Sequence, residues 1–248
     1  MRAVGLALVL LSVTIAPAAA APATQLVVWA WERPEDLRFL PGGVEVAAQT
    51  GFVQLSGERV LARGRRFPLL MNGDPATAVV HVQIDRGRPL AWTPAQRAAA
   101  VSAVLALARP PWARRVQIDF EVRRSERRAL VDLLTDVRAG LPPAVALSMT
   151  AIASWCETET WLRAVRVDEI VPMLFRMGPR GEHVKAVLAA GGDFAEPECR
   201  RALAISLDHP LPDAPAGRRV YLFSPRGWRA ADFQRLRESV GTWGASGD

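Results

Sequence analysis

Apolar residues recur along the chain in two rhythms. Short runs rich in Val, Ile, Leu and Ala fall at 26–31, 44–48, 78–84, 115–120, 145–150, 169–174, 202–207 and 219–223. Their length and composition predict strands buried in a sheet. Longer segments between several of them repeat their apolar positions every three to four residues. One spans 94–108, with Thr93 placed to cap it, Pro94 at its first turn and Pro110-Pro111 to stop it. A second spans 125–138, sets Leu130, Leu133, Leu134 and Val137 on one stripe, and ends at Gly140 and Pro142. Further helices are predicted over 181–190, before Gly191-Gly192, and over 230–240.

Strands alternating with helices predict a parallel α/β fold, and eight strands suffice to close a single (β/α)8 TIM-like barrel. Two stretches make that barrel irregular. Residues 51–65 predict a β-hairpin inserted after strand two, with Phe52-Val53-Gln54-Leu55 and Arg59-Val60-Leu61 around Ser56-Gly57. The Pro-rich stretch 209–217 leaves no room for a helix between strands seven and eight.

The N-terminus follows a different pattern. Met1 and Arg2 precede an apolar run over residues 4–16, then Pro17 and four alanines through Ala21. A positive start, a short apolar stretch and small residues form a secretory signal, with cleavage expected after Ala20 or Ala21. The run is shorter than the ~20 residues of a spanning helix, although an uncleaved anchor is the competing reading. Residues 1–20 are therefore expected to be a signal peptide and 22–248 one barrel domain. That places the mature chain in the periplasm or outside the cell, with no transmembrane segment.

Charge alters the picture little. The formal net charge is +6, but Lys185 is the only lysine and the arginines are scattered among acidic residues. Nucleic-acid binders concentrate basic residues on one face, so no nucleic-acid partner is expected. Two cysteines and three scattered histidines give no zinc-ligand spacing, and neither a metal nor another cofactor is expected. Export permits a disulfide between Cys156 and Cys199. Their expected positions near opposite ends of the barrel argue against one, since bridging needs Cα atoms within ~7 Å.

The active site of a parallel barrel lies at the carboxyl ends of its strands. In the fourth strand Gln117, Asp119 and Glu121 alternate with Val116, Ile118 and Phe120. With the apolar set facing the helices, the polar set points into the barrel. His81, Gln83 and Asp85 share a face of strand three in the same way. Glu32 follows strand one, Arg176 strand six and Asp208 strand seven. Converging carboxylates raise one another's pKa values and keep one protonated as a general acid, as glycoside hydrolysis requires. The competing reading pairs each carboxylate with a strand-end arginine such as Arg176, Arg180 or Arg226. Trp155 and Trp228, which follow strands five and eight, are expected as sugar-stacking walls or as core residues. Parity sends Trp29 and Trp31 outward as packing residues.

Several of these segments resemble the chitinase-type (family eighteen) glycoside hydrolases. That family ends its fourth strand in D-x-x-D-x-D-x-E, and Asp119 and Glu121 fall on the last two acidic positions. The resemblance implies Glu121 as general acid, with Asp119 supporting it and touching substrate. Arg114 and Gln117 stand where the earlier aspartates would be, and Phe175 replaces the tyrosine of the strand-six M-x-Y. The segments VWAWE (28–32), VQIDFE, LSMTAIASWC and VDEIVPMLFRMG also resemble the domain-of-unknown-function 3142 family of exported bacterial proteins. That likeness covers nearly the whole mature chain and implies a glycosidase-like barrel.

The combined expectation is an exported glycoside hydrolase-like protein acting on an envelope or extracellular polysaccharide. Asp119 and Glu121 are the expected catalytic pair. Glu32, Asp85, Gln117, Trp155, Arg176, Asp208 and Trp228 are the expected substrate contacts. The alternative is a barrel that has lost catalysis and binds a glycan or an envelope partner. No G-x-S-x-G elbow or Gly-rich phosphate loop points to another enzyme class.

Overall fold

A computed structural model describes residues 24–158, 160–178, 180–211 and 213–243. The expected signal segment over 1–20 lies outside the described residues. Eleven strands run in chain order: β1 (Gln25–Ala30), β2 (Glu35–Asp36), β3 (Glu45–Ser56), β4 (Arg59–Gly64), β5 (Leu69–Leu70), β6 (Thr77–Ile84), β7 (Arg115–Asp119), β8 (Ala146–Ile152), β9 (Glu169–Met173), β10 (Ala202–Ser206) and β11 (Arg219–Phe223). The helices are α1 (Pro94–Leu107), α2 (Arg127–Gly140), the one-turn α3 (Trp155–Thr158), α4 (Gly181–Ala189) and α5 (Ala230–Gly241).

Eight of these strands close a parallel barrel in the order β1-β3-β6-β7-β8-β9-β10-β11, with β11 returning to pair with β1. The fold is thus the expected α/β barrel, with helices between strands on its far side. Among the described residues the connection from β10 to β11 carries no helix, in keeping with its prolines. Among the described residues no helix is long and apolar enough to cross a membrane.

Strand two differs from its expected form. It continues past Ala48 as the twelve-residue β3, and its second half pairs antiparallel with β4 from Gly51↔Gly64 to Ser56↔Arg59. The antiparallel pair is therefore built from the strand's own extension. A bulge between Gln49 and Gly51 shifts the register against β6. A bulge re-aims the side chains that follow it. Beyond this one, Phe52 and Gln54 lie beside His81 and Gln83.

Strand polarity divides the core in two. Val116, Ile118 and Phe120 pack outward with Leu130, Leu133, Leu134 and Val137 of α2. Inside the barrel a smaller cluster holds Val27, Trp29, Ala47, Val79, Val171, Met173, Ala202, Ala204, Tyr221 and Phe223. Trp29 sits inward, contrary to expectation. Both faces of β1 are apolar, so polarity gave no sign of direction, and small neighbours such as Ala47 leave room for the indole.

Below this apolar layer, towards the amino ends of the strands, the interior is polar. Glu169 accepts hydrogen bonds from Tyr221 Oη at 2.7 Å, Ser148 Oγ at 3.0 Å and Arg219 Nη1 at 2.7 Å. Gln117 Nε2 donates to Ser148 Oγ at 2.9 Å. Burial and the adjacent Glu169 charge push the Tyr221 phenol up, so it stays protonated and donates.

Cys156 and Cys199 form a disulfide with Cα atoms 6.0 Å apart, which corrects the expectation that topology would separate them. The chain after β8 turns outward into the helical layer at α3 and does not rise over the mouth. After α4 it returns alongside, where Glu196 N donates to Cys156 O at 2.9 Å.

Candidate functional site

At the carboxyl ends of the strands two adjoining hollows of about 350 and 440 Å³ share Trp31, Phe175, Arg176 and Phe223. Together they form one cleft across the barrel mouth. The first hollow holds His81, Gln83, Arg86, Asp119 and Glu121. The second holds Arg33, Ser206, Asp208, His209 and Ser224.

The register of β6, β7 and β8 sets the chemistry of the first hollow. His81 pairs laterally with Asp119 across β6 and β7. Asp119 lies at the end of β7 with only 6% of its side chain exposed. One carboxylate oxygen is 2.7 Å from His81 Nδ1, and the other accepts from Thr150 Oγ1 at 2.7 Å. The His81 ring stacks on Phe52 with centroids 5.4 Å apart and meets the edge of Trp31. Burial pulls the imidazole pKa down, but the hydrogen bond and charge of Asp119, helped by Glu121, outweigh it and raise it. The sequence placed His81 on the inward face but gave it no role.

Glu121, two residues further on, reaches the open cleft with 43% of its side chain exposed. Arg176 Nε stands 3.3 Å from its Oε1. Burial raises the Glu121 pKa; Arg176 opposes this, Asp119 adds to it, and the net position is above the ordinary glutamate value. A carboxyl so placed holds its proton to higher pH than a free glutamate. Asp119, locked between two donors, is the fixed negative charge behind it.

The other expected site residues are dispersed. Asp208 lines the second hollow, where a hydrogen bond from Ser206 Oγ holds its carboxyl below the usual range. Glu32 is held by Arg63 and Arg66; burial works against its charge, but the two arginines win and keep it low. It lines neither hollow. Asp85 accepts from Ser56 Oγ at 2.7 Å and Gly87 N at 2.9 Å, and faces a separate surface hollow beside Trp92 and Glu126. Gln117 is fully buried in the polar layer beneath the site.

Neither expected aromatic wall reaches the cleft. Trp155 is buried in the outer core against Trp161, with ring centroids 5.1 Å apart. Trp228 donates from its indole to Trp29 O at 2.8 Å and from its backbone to Glu35 Oε2 at 3.0 Å. It clasps the start of α5 to β1. The aromatic surface of the mouth comes instead from Trp31, Phe175 and Phe223, with Phe223 4.3 Å from the buried Trp29 ring. Trp31 follows the inward parity of Val27 and Trp29, which β1 concealed by being apolar on both faces. Among the described residues no cluster of His, Cys, Asp and Glu is arranged to hold a metal ion.

Comparison of the chain with protein-family models, with curated proteins and with solved structures gives no match.

Proposed function

We propose that this protein is an exported glycoside hydrolase-like enzyme that cleaves an envelope or extracellular polysaccharide, with Glu121 as its general acid. The observation that carries the proposal is the raised Glu121 carboxyl opening into the cleft beside the buried Asp119–His81–Thr150 group. Cleavage of a glycosidic bond needs a proton delivered to the leaving oxygen and negative charge near the sugar ring as positive charge develops. Glu121 supplies the proton. Asp119, whose two hydrogen bonds fix its orientation, supplies the charge, and His81 positions it. Trp31, flanked by Phe175 and Phe223, offers a flat apolar face against which a ring can stack. The likeness of VQIDFE to the final acidic pair of the family-eighteen motif supports the same assignment. The Cys156–Cys199 bond suits the oxidising surroundings of an exported protein.

Purified protein offered a panel of neutral and acidic glycans is expected to release reducing ends, and Glu121→Gln to release almost none. A panel on which wild type and variant behave alike would remove the catalytic role.

A second reading, a barrel that binds glycan without turnover, is favoured by the ion pair between Arg176 and Glu121 and by Phe175 in place of a hydroxyl-bearing residue. Calorimetric binding with no product would select it.

A further inference from the structure

Arg176 presents a difficulty for a general acid at Glu121. A guanidinium beside a carboxyl favours the ionised form, which cannot donate a proton. The contact is also loose: Nε lies 3.3 Å from Oε1, with 63% of the arginine side chain exposed. Among the described residues Glu121 is the only ion-pair partner the Arg176 side chain has. Arg176 also borders both hollows of the cleft, so anything spanning the mouth passes it. The other arginines of the cleft are committed. Arg33 binds Glu35 and the carbonyls of Ser224, Pro225 and Arg226, and Arg86 pairs with Glu126.

Resting on the proposed hydrolase reading, we infer that Arg176 is the recognition residue for an anionic saccharide whose oxyanion draws the guanidinium away from Glu121. A carboxylate or sulfate oxygen pair bound by the planar guanidinium fork makes a closer match than the 3.3 Å contact with Glu121. The groups facing Glu121 are Arg176 beyond β9, Asp119 on β7, His81 on β6 and Arg86 beyond β6. Once Arg176 turns to the ligand, Asp119 and burial act on Glu121 with less opposition, and the carboxyl keeps its proton for the leaving group. A neutral glycan leaves the ion pair in place. Uronate carboxylates and sulfate esters share this chemistry.

The test is calorimetric binding, which needs no turnover. The ligands are a uronate oligosaccharide, its carboxyl-reduced neutral counterpart, and a sulfated neutral oligosaccharide. Wild type is expected to bind at least one anionic ligand about ten-fold or more tightly than the neutral one. The preferred ligand tells carboxylate from sulfate. Arg176→Gln is expected to lose most of that preference and Arg176→Lys to keep part of it. Glu121→Gln, which releases Arg176, is expected to bind the anionic ligand more tightly than wild type. Thermal melts establish that each variant is folded. No preference in wild type, no binding, or a preference that survives Arg176→Gln overturns the inference. Hydrolysis assays on the same ligands decide the enzyme proposal separately, so a neutral-specific hydrolase would refute Arg176 and spare Glu121.

Discussion

Glu121 and His81 are shifted in the same direction for different reasons, and their effects on stability can be separated. The Glu121 carboxyl is raised chiefly by burial, so its folded state holds a proton that the unfolded chain has released. Stability therefore falls as pH rises from the ordinary glutamate value of about 4.5 through the raised one. The raised His81 pKa adds stability that is fully present below about 6.5 and lost as pH climbs through the folded value. Melting curves across pH are expected to show both windows in wild type. Glu121→Gln should flatten the lower window and narrow the upper one slightly, since the Glu121 charge helps raise His81, whereas His81→Gln should flatten the upper and keep the lower. In the proposed reaction the same proton sets the alkaline limb of the rate profile. Removing the Arg176 charge is expected to move that limb to higher pH, because a cation that favours the carboxylate is gone. A limb that stays fixed in Arg176→Gln would mean that another group sets it.

At the scale of elements, legibility followed chemical contrast between faces. The polar and apolar residues of β7 alternate, so the inward aim of Asp119 and Glu121 was readable from the sequence. On β1 both faces are apolar, and Trp31 was assigned to the wrong side. Trp155 and Trp228 follow strands as a mouth residue should, yet their loops fold outward or back on the barrel. No local pattern reports that choice. The bulge in β3, which brings Phe52 against His81, left no sign in the hydrophobic pattern either. The disulfide was missed for a related reason, since chain order does not give the path of a loop through the helical layer. It joins α3 to the turn before β10 across a sequence separation of 43. Closing such a loop stabilises by about 2–4 kcal/mol. Reduction, or Cys156→Ala with Cys199→Ala, is expected to lower the melting temperature by roughly 5–15 °C. An unchanged melting temperature under reductant, with free thiols confirmed, would contradict the pairing.

Across the whole molecule the barrel is arranged in layers. A polar layer around Glu169 lies towards the amino ends, an apolar layer around Trp29 and Tyr221 sits above it, and the candidate site lies at the mouth. The sequence showed eight strands and their order, and therefore the fold. It gave no sign that Gln117 belongs to the lower layer, because an inward polar residue looks the same at any depth. Glu169→Ala would take from the partly buried Arg219 and Arg115 their nearer carboxylate, with Gln25 and Glu45 remaining beside them, and leave Tyr221 and Ser148 without their acceptor. A loss of about 3 kcal/mol is expected, near the lower end for a broken buried pair because Arg219 keeps some solvent contact. Chemical denaturation measures it.

In the proposed reaction Glu121 delivers a proton to a departing sugar oxygen. The most direct test compares Glu121→Gln with wild type on two glycosides of one accepted sugar. One carries an unactivated sugar leaving group and the other a dinitrophenolate, which departs without a proton. A fall of roughly 10²–10⁴ in kcat is expected on the unactivated substrate and a far smaller one on the activated substrate. Equal losses on both, or no loss on either, would contradict it.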